Sequence, residues 1–307
     1  MAAAFAQGHD TKDVRFGLNC KGNGVCMIKA WHKVSLSAKR RAVQLGALLM
    51  LHSSWGPEAK WLCMPVLNCH SCRLAWFACP IGVLVHYIGL HLFPFVAIGT
   101  VLLLGVLAGR LFCGWICPFG FLQDMLHKIP SPKFHLPDWA SWGKYAVLAL
   151  TVVLLPLFLG AETLLSFCRF CPASALQVTL PGFVQAGIGD FSAMTALKLA
   201  VLAVVVIGVI LYSRAFCRVL CPIGAMFAPL NYVSLWKIKS PTEDCRRCVT
   251  CRQACPQEDR PGDRIAAGIA ANRALDCIVC HECQAACPET NTPDASKAVS
   301  SRPDERP

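Results

Sequence analysis

Twenty cysteines in a chain of 307 residues offer more chemistry than any other side chains, and most of them fall into fixed spacings. Residues 245–256 read CRRCVTCRQACP and residues 277–288 read CIVCHECQAACP. Each run is Cys-x2-Cys-x2-Cys-x3-Cys-Pro. In that spacing three thiolates on one tight loop hold three irons of a cubane, and the fourth reaches the neighbouring cubane. Cys245, Cys248, Cys251 and Cys287 are thus expected to hold one [4Fe–4S] cluster, and Cys277, Cys280, Cys283 and Cys255 a second. Zinc sites also use Cys-x2-Cys pairs, but two complete copies ending in Cys-Pro favour iron–sulfur. The 21 residues between Cys255 and Cys277 read as a surface insertion, which loop-closure entropy tolerates.

A second pattern lies upstream. CGWICPFG at residues 113–120 carries two thiols without the preceding pair a cubane loop needs. It has three relatives in the chain: ACPIGVL at Cys79, FCPASAL at Cys171 and LCPIGAM at Cys221. RLFCGWICPFG and RAFCRVLCPIG match further, sharing Arg, Phe and Cys-x3-Cys-Pro at a separation of 104 positions. The chain therefore reads as two tandem halves. Proline at the first helical position gives up no hydrogen bond, so each Cys-Pro is expected to start a helix with its thiol at the positive dipole end. Two equivalent halves would bring Cys113, Cys117, Cys217 and Cys221 together as a four-thiolate inner site. Its outer counterpart draws on Cys69, Cys72, Cys79, Cys168 and Cys171, one more than a cubane needs. Further [4Fe–4S] clusters, copper or zinc, disulfides and plain packing all remain open for these repeats.

The elements that position these thiols read as membrane helices. The chain is 55% hydrophobic and 15% charged, against about a quarter charged in soluble domains. Apolar runs follow Arg41, occupy the 36 uncharged residues between Arg73 and Arg110, and cover roughly 145–160 and 194–212. The 36-residue run fits either one span plus a re-entrant segment or two minimal spans meeting near Pro94. Much of the net charge of +11 precedes residue 42, including Lys39, Arg40 and Arg41. Lys and Arg before a span mark the cytoplasmic side, which explains the charge better than nucleic-acid binding. Four spans with both termini cytoplasmic put Cys79 and Cys171 toward the outer face and the Cys-x3-Cys-Pro pairs toward the inner one. No apolar run in the first 33 residues is long enough for a signal-peptide core.

Lys-Arg-Arg before a first span, two Cys-x3-Cys-Pro motifs after later spans and a C-terminal double cysteine run together resemble the NapH/NosR-type membrane ferredoxins. The likeness runs from about Arg40 to Pro288. It implies an α-helical integral membrane protein of about four spans in two pseudo-repeated halves, with a C-terminal bacterial two-[4Fe–4S] ferredoxin-like α+β domain on the cytoplasmic side of a bacterial inner membrane. The division is then a basic segment 1–39, a membrane domain 40–236, a ferredoxin domain 237–290 and a disordered tail 291–307. The resemblance further implies quinone or quinol as a cofactor and a membrane-associated or periplasmic redox partner protein. The cysteines at 63, 69, 72, 79, 168 and 171 depart from the nitrate-reductase subunit of that family and suggest a different partner.

The expected function is electron transfer between the quinone pool or a cytoplasmic donor and a redox partner, as a subunit of a quinol dehydrogenase system. Copper reduction or delivery and a transmembrane thiol–disulfide relay are the alternatives. Cys20 and Cys26 in NCKGNGVC read as free thiols on a flexible turn, and His70, His86 and His91 as interfacial histidines. Trp31, Trp55, Trp61, Trp76, Trp139 and Trp142 fit interfacial belts. No catalytic triad, phosphate-binding glycine loop or paired-carboxylate site is legible.

Overall fold

A computed structural model describes residues 35–53, 59–186, 192–238, 245 and 250–287. The chain divides into two compact units, residues 1–35 and 36–307, and apart from Ser35 the described residues lie in the second. Cys20, Cys26, Trp31, Trp55, Cys248 and the tail from residue 288 lie outside the described residues.

The first half runs α1 (Leu36–Leu51), a parallel strand pair β1 (Ala59–Cys63) and β2 (Phe77–Ala78), then α2 (Pro80–Gly89), α3 (Phe95–Ala108) and α4 (Pro118–Leu126). The second half repeats the helices: α5 (Asp138–Leu159), α6 (172–186), α7 (Ala193–Leu211) and α8 (Pro222–Phe227). α2, α4, α6 and α8 each begin on a Cys-Pro. Cys79, Cys117, Cys171 and Cys221 all hold extended backbone, with ψ of 127°, 116°, 124° and 111°. The cause is local. A residue before proline is pushed out of the helical region, and proline is pre-set for the first helical turn. The 36-residue uncharged run is therefore two helices, α2 and α3, separated at 90–94.

The halves exchange their last helices. α4 packs on α1 of its own half and α7 of the other, while α8 packs on α5 of its own half and α3 of the other. A bridge between Phe134 and Tyr212 ties the same ends. α5 and α7 are long and apolar enough to cross a membrane, and α2 and α3 are shorter apolar helices. Their outward faces are greasy: Leu103 on α3, Phe158 on α5 and Val204 on α7 are 62%, 77% and 69% exposed.

Residues 250–287 hold only short helical turns, at Thr250–Gln253, Pro261–Ala266 and Glu282–Ala285. They close around Ile238, Cys251, Ile265, Ala271, Val279 and Cys283. The strands expected of an α+β unit are absent among the described residues there. The segment between Cys255 and Cys277 is a docking plate rather than a free surface insertion. Asn231 donates to the carbonyls of Ala274 (2.8 Å) and Cys277 (2.7 Å), Arg110 donates to that of Leu275 (2.6 Å), and Lys144 pairs with Asp276.

Candidate iron–sulfur sites

The inner site forms where α4 and α8 begin. Cys113, Cys117, Cys217 and Cys221 are all buried, and every pair among them interacts electrostatically. Cys113 lies on the helical turn Leu111–Trp115 and Cys217 on the wider, π-helical turn Phe216–Leu220. The thiols already have donors. Gln123 Nε2 lies 2.9 Å from Cys217 Sγ, and the Gly224 N–H donates to Cys221 Sγ at 3.4 Å.

Two arginines complete the site, and they are repeat mates. Arg110 and Arg214 are each 1% exposed, and each reaches across to the other half. A Cβ on Gly224 would lie 2.9 Å from Arg110 Nη2, and one on Gly120 would lie 3.6 Å from Arg214 Nη1. The glycine of Cys-Pro-x-Gly thus makes room for the opposite arginine. Arg214 is neutralised by two bonds to Asp124, both 2.7 Å. Arg110 uses Nη1 on Leu275, while its Nε and Nη2 are buried without a hydrogen-bond partner. A buried guanidinium with two unpartnered nitrogens, which carry three N–H groups, is costly beside neutral thiols. Its charge acts on Cys113, Cys217 and Cys221, so a dianionic or more anionic group among the four sulfurs would satisfy it. The residues present fit a four-thiolate cluster. The arginines were visible in the sequence only as a shared letter before Phe and Cys; Gln123 and Asn231 carried no signal.

The C-terminal set is equally mutual. Cys255, Cys277, Cys280 and Cys283 interact electrostatically in every pairing. Burial, reinforced by the neighbouring thiols, pushes Cys255 up to about 11 and Cys283 up to about 12. Ligation must therefore drive out their protons, as metal binding to thiols does. Of the other set, Cys245 packs against the cluster containing Cys251, Cys287 is half-buried, and Cys248 lies outside the described residues.

The two regions touch. Cys113, Ile278 and Cys280 form one buried apolar cluster, and Trp115 Nε1 donates to the Val279 carbonyl at 3.1 Å. Gly114 makes this approach possible, since a Cβ there would sit 2.3 Å from the Ile278 carbonyl oxygen. Gly114→Ala is expected to lower stability by about 1–3 kcal/mol through overpacking, read as a lower unfolding midpoint. Gly99→Ala, whose Cβ meets nothing within 4 Å, should not lower it.

At the outer end Cys69, Cys79, Cys168 and Cys171 interact in every pairing, and Cys72 lies outside that set. Among the described residues no three His, Cys, Asp or Glu side chains are grouped so as to hold a single metal ion. Single-ion sites need sulfurs about 2.3 Å from one centre.

The assembly defines a mostly helical protein with a ferredoxin-type 4Fe–4S domain. Residues 90–137 and 193–241 match the 4Fe-4S binding domain family, and each segment contains one Cys-x3-Cys-Pro pair. The chain is similar to ferredoxin-type electron-transport proteins. It is 26% identical to the putative electron transport protein YccM of Escherichia coli over 50% of this chain and 43% of that one. It is 26% identical to the ferredoxin-type protein NapH of Escherichia coli over 49% of each chain. An uncharacterised protein of Methanocaldococcus jannaschii is 25% identical over 54% of this chain and 66% of its own length; MauN and NosR proteins match as well. The chain thus spans less than two thirds of the length of these curated relatives. No solved structure matches.

Proposed function

We propose that the protein is a membrane-embedded iron–sulfur electron-transfer protein. It passes electrons between the quinone pool or a cytoplasmic donor and a redox partner protein, as the electron-delivery part of a quinol dehydrogenase system. The single observation that carries this is the buried contact of Cys113 with Ile278 and Cys280, which joins the inner four-thiol site to the C-terminal one. In this reading Cys245, Cys248, Cys251 and Cys287 hold one cluster, Cys255, Cys277, Cys280 and Cys283 a second, and Cys113, Cys117, Cys217 and Cys221 a third. Bound there, the clusters supply one-electron oxidation and reduction.

The chain's own residues set the conditions. Arg110 and Arg214 offset the negative charge of the inner sulfurs, Gln123 and the Gly224 amide hydrogen-bond to them, and Ile278 keeps water from the junction. Hydrogen bonds to sulfur, net charge and burial are the levers that tune such sites. The spans are α1, α3, α5 and α7, within a membrane domain of residues 40–236. α2 and α6 are short helices entering from the outer side. The exposed apolar faces of α3, α5 and α7 support burial in lipid. Residues 237–290 lie on the cytoplasmic side, with the Lys39-Arg40-Arg41 run that opens α1.

The reading is tested on the anaerobically purified chain in detergent by iron and acid-labile sulfide analysis with an EPR-monitored redox titration. Low-potential [4Fe–4S] signals that are reoxidised by a short-chain quinone are expected, with at least about twelve irons per chain. A count near eight leaves no iron for the inner site and sinks the three-cluster path.

A further inference from the structure

We infer that Cys69, Cys79, Cys168 and Cys171 form a fourth [4Fe–4S] site, in line with the inner one and opening on the far end of the molecule. The inference extends the electron path proposed above, but its residues are separate: all four lie outside the segments 90–137 and 193–241 that match the 4Fe-4S binding domain.

Six cysteines lie toward the outer end, and packing chooses among them; Cys63 lines the same cavity, but none of the other thiols acts on it. Cys79 and Cys171 open α2 and α6, one from each half, and are 7% and 8% exposed. Cys168 lies on the turn Phe167–Phe170. Cys69 comes from the loop between β1 and β2, where its N–H donates to Gln177 Oε1 on α6 at 2.5 Å. All six pairings of these four thiols interact electrostatically. Cys72 is 4% exposed but does not line the cavity the four share.

The surroundings suit an anionic sulfur cluster. Backbone N–H groups of Asn68, Ile81 and Gly82 point at Cys79, and that of Ser174 at Cys171. Asn68 and Ser166 are each 1% exposed. They line the same cavity, and neither the Asn68 amide atoms nor Ser166 Oγ has a hydrogen-bond partner. Buried polar groups are rarely left so, and cluster sulfides beside them would accept from the Asn68 amide and the Ser166 hydroxyl. Lys60, Arg169 and Lys198 line the wall, and the Lys198 charge acts on Cys168. The cavity, about 900 Å³, is large enough for a cubane with room beyond it.

Position makes the site useful. The Leu67 N–H points at Cys117 of the inner site, and the next amide along, that of Asn68, points at Cys79 of the outer one. Successive backbone units are spaced by about 3.8 Å and N–H···S contacts add about 4 Å at each end, so the two thiols lie within roughly 12 Å. One electron crosses per event: the donor cluster goes from its reduced to its oxidised level as the acceptor goes the other way, with no bond or proton transferred. The inner site thus lies between the Cys280 contact on one side and the outer cavity on the other.

Iron and acid-labile sulfide counting on the full chain tests this directly. About sixteen irons per chain are expected, falling to about twelve in Cys79→Ser/Cys171→Ser, while Cys72→Ser keeps the full count. Integrated EPR of the reduced double variant should lose one [4Fe–4S] spin and keep the others, which shows that it still folds. A wild-type count of about twelve overturns the fourth site while leaving the three-cluster path intact, whereas about eight removes the inner site as well. Retention of all iron by the double variant, or a disulfide among the four cysteines in the anaerobic wild type, also overturns it.

Discussion

A chain in which Cys113 and Cys217 are both serine is expected to bind about four fewer irons than the wild type and to stop passing electrons out of its C-terminal segment. The two thiols come from different halves, 104 positions apart, so the pair removes one ligand from each side of the inner site. Cys113 also packs against Ile278 and Cys280, so this site adjoins the C-terminal set directly through a buried thiol contact. The readout is two-part. Iron analysis should show the partial loss, and dithionite-reduced clusters of the C-terminal segment should no longer be reoxidised quickly by a quinone analogue. Loss of all iron would mean that the segment cannot fold without the inner site. Unchanged reoxidation would show that electrons leave by another route and would discard the proposed path.

The second large effect concerns Asp124. Its carboxylate is 14% exposed and receives two bonds from Arg214 and one of 2.6 Å from Arg40, whose other nitrogen lies 3.1 Å from Glu282. Burial works to raise the Asp124 carboxyl, but the Arg214 and Arg40 charges overcome it and hold it below the ordinary carboxylate value. Asp124→Ala strands the buried Arg214 guanidinium and leaves Arg40 with Glu282 alone, and breaking a buried pair from one side costs about 3–5 kcal/mol. That is a large share of the 5–15 kcal/mol typical of a domain. The unfolding midpoint in detergent should fall sharply, with Asp124→Glu recovering part of it. The pH dependence follows in sign: the folded-state value is depressed, so this stabilisation is complete above the ordinary carboxylate range near about 4 and is lost as pH falls through the lower folded value. A midpoint in Asp124→Ala equal to that of the wild type would show that the cluster of charges is not holding α1, α4 and the 214 turn together.

Charges that look topological in the sequence have a second role in the fold. Arg40 belongs to the basic run before the first apolar stretch, yet it is 6% exposed and clamps α1 to Asp124 and Glu282. Lys144 counts as a loop charge by position, yet it is fully buried against Asp276. Arg218 reaches both Asp138 and Glu258. Each joins the helical part to the C-terminal segment at the same end, so the side marked by positive charge is also the side that holds that segment in place.

The sequence by itself determined what depends on covalent neighbours. The two cysteine runs, the two-half repeat and the helix starts at Cys79, Cys117, Cys171 and Cys221 were all legible, because proline fixes its own φ and restrains the residue before it. The pairing of Cys113 and Cys117 with Cys217 and Cys221 followed from the repeat. Only the tertiary structure decided which outer thiols converge, leaving Cys72 aside, and that Arg110 and Arg214 cross between halves over Gly224 and Gly120. It also turned the spacer between Cys255 and Cys277 into a docking surface. The physical reason is range. A dihedral preference acts on the next residue, whereas burial, an ion pair or a shared ligand sphere depends on side chains about a hundred positions apart. Their meeting is set by how α4 and α8 exchange between the halves.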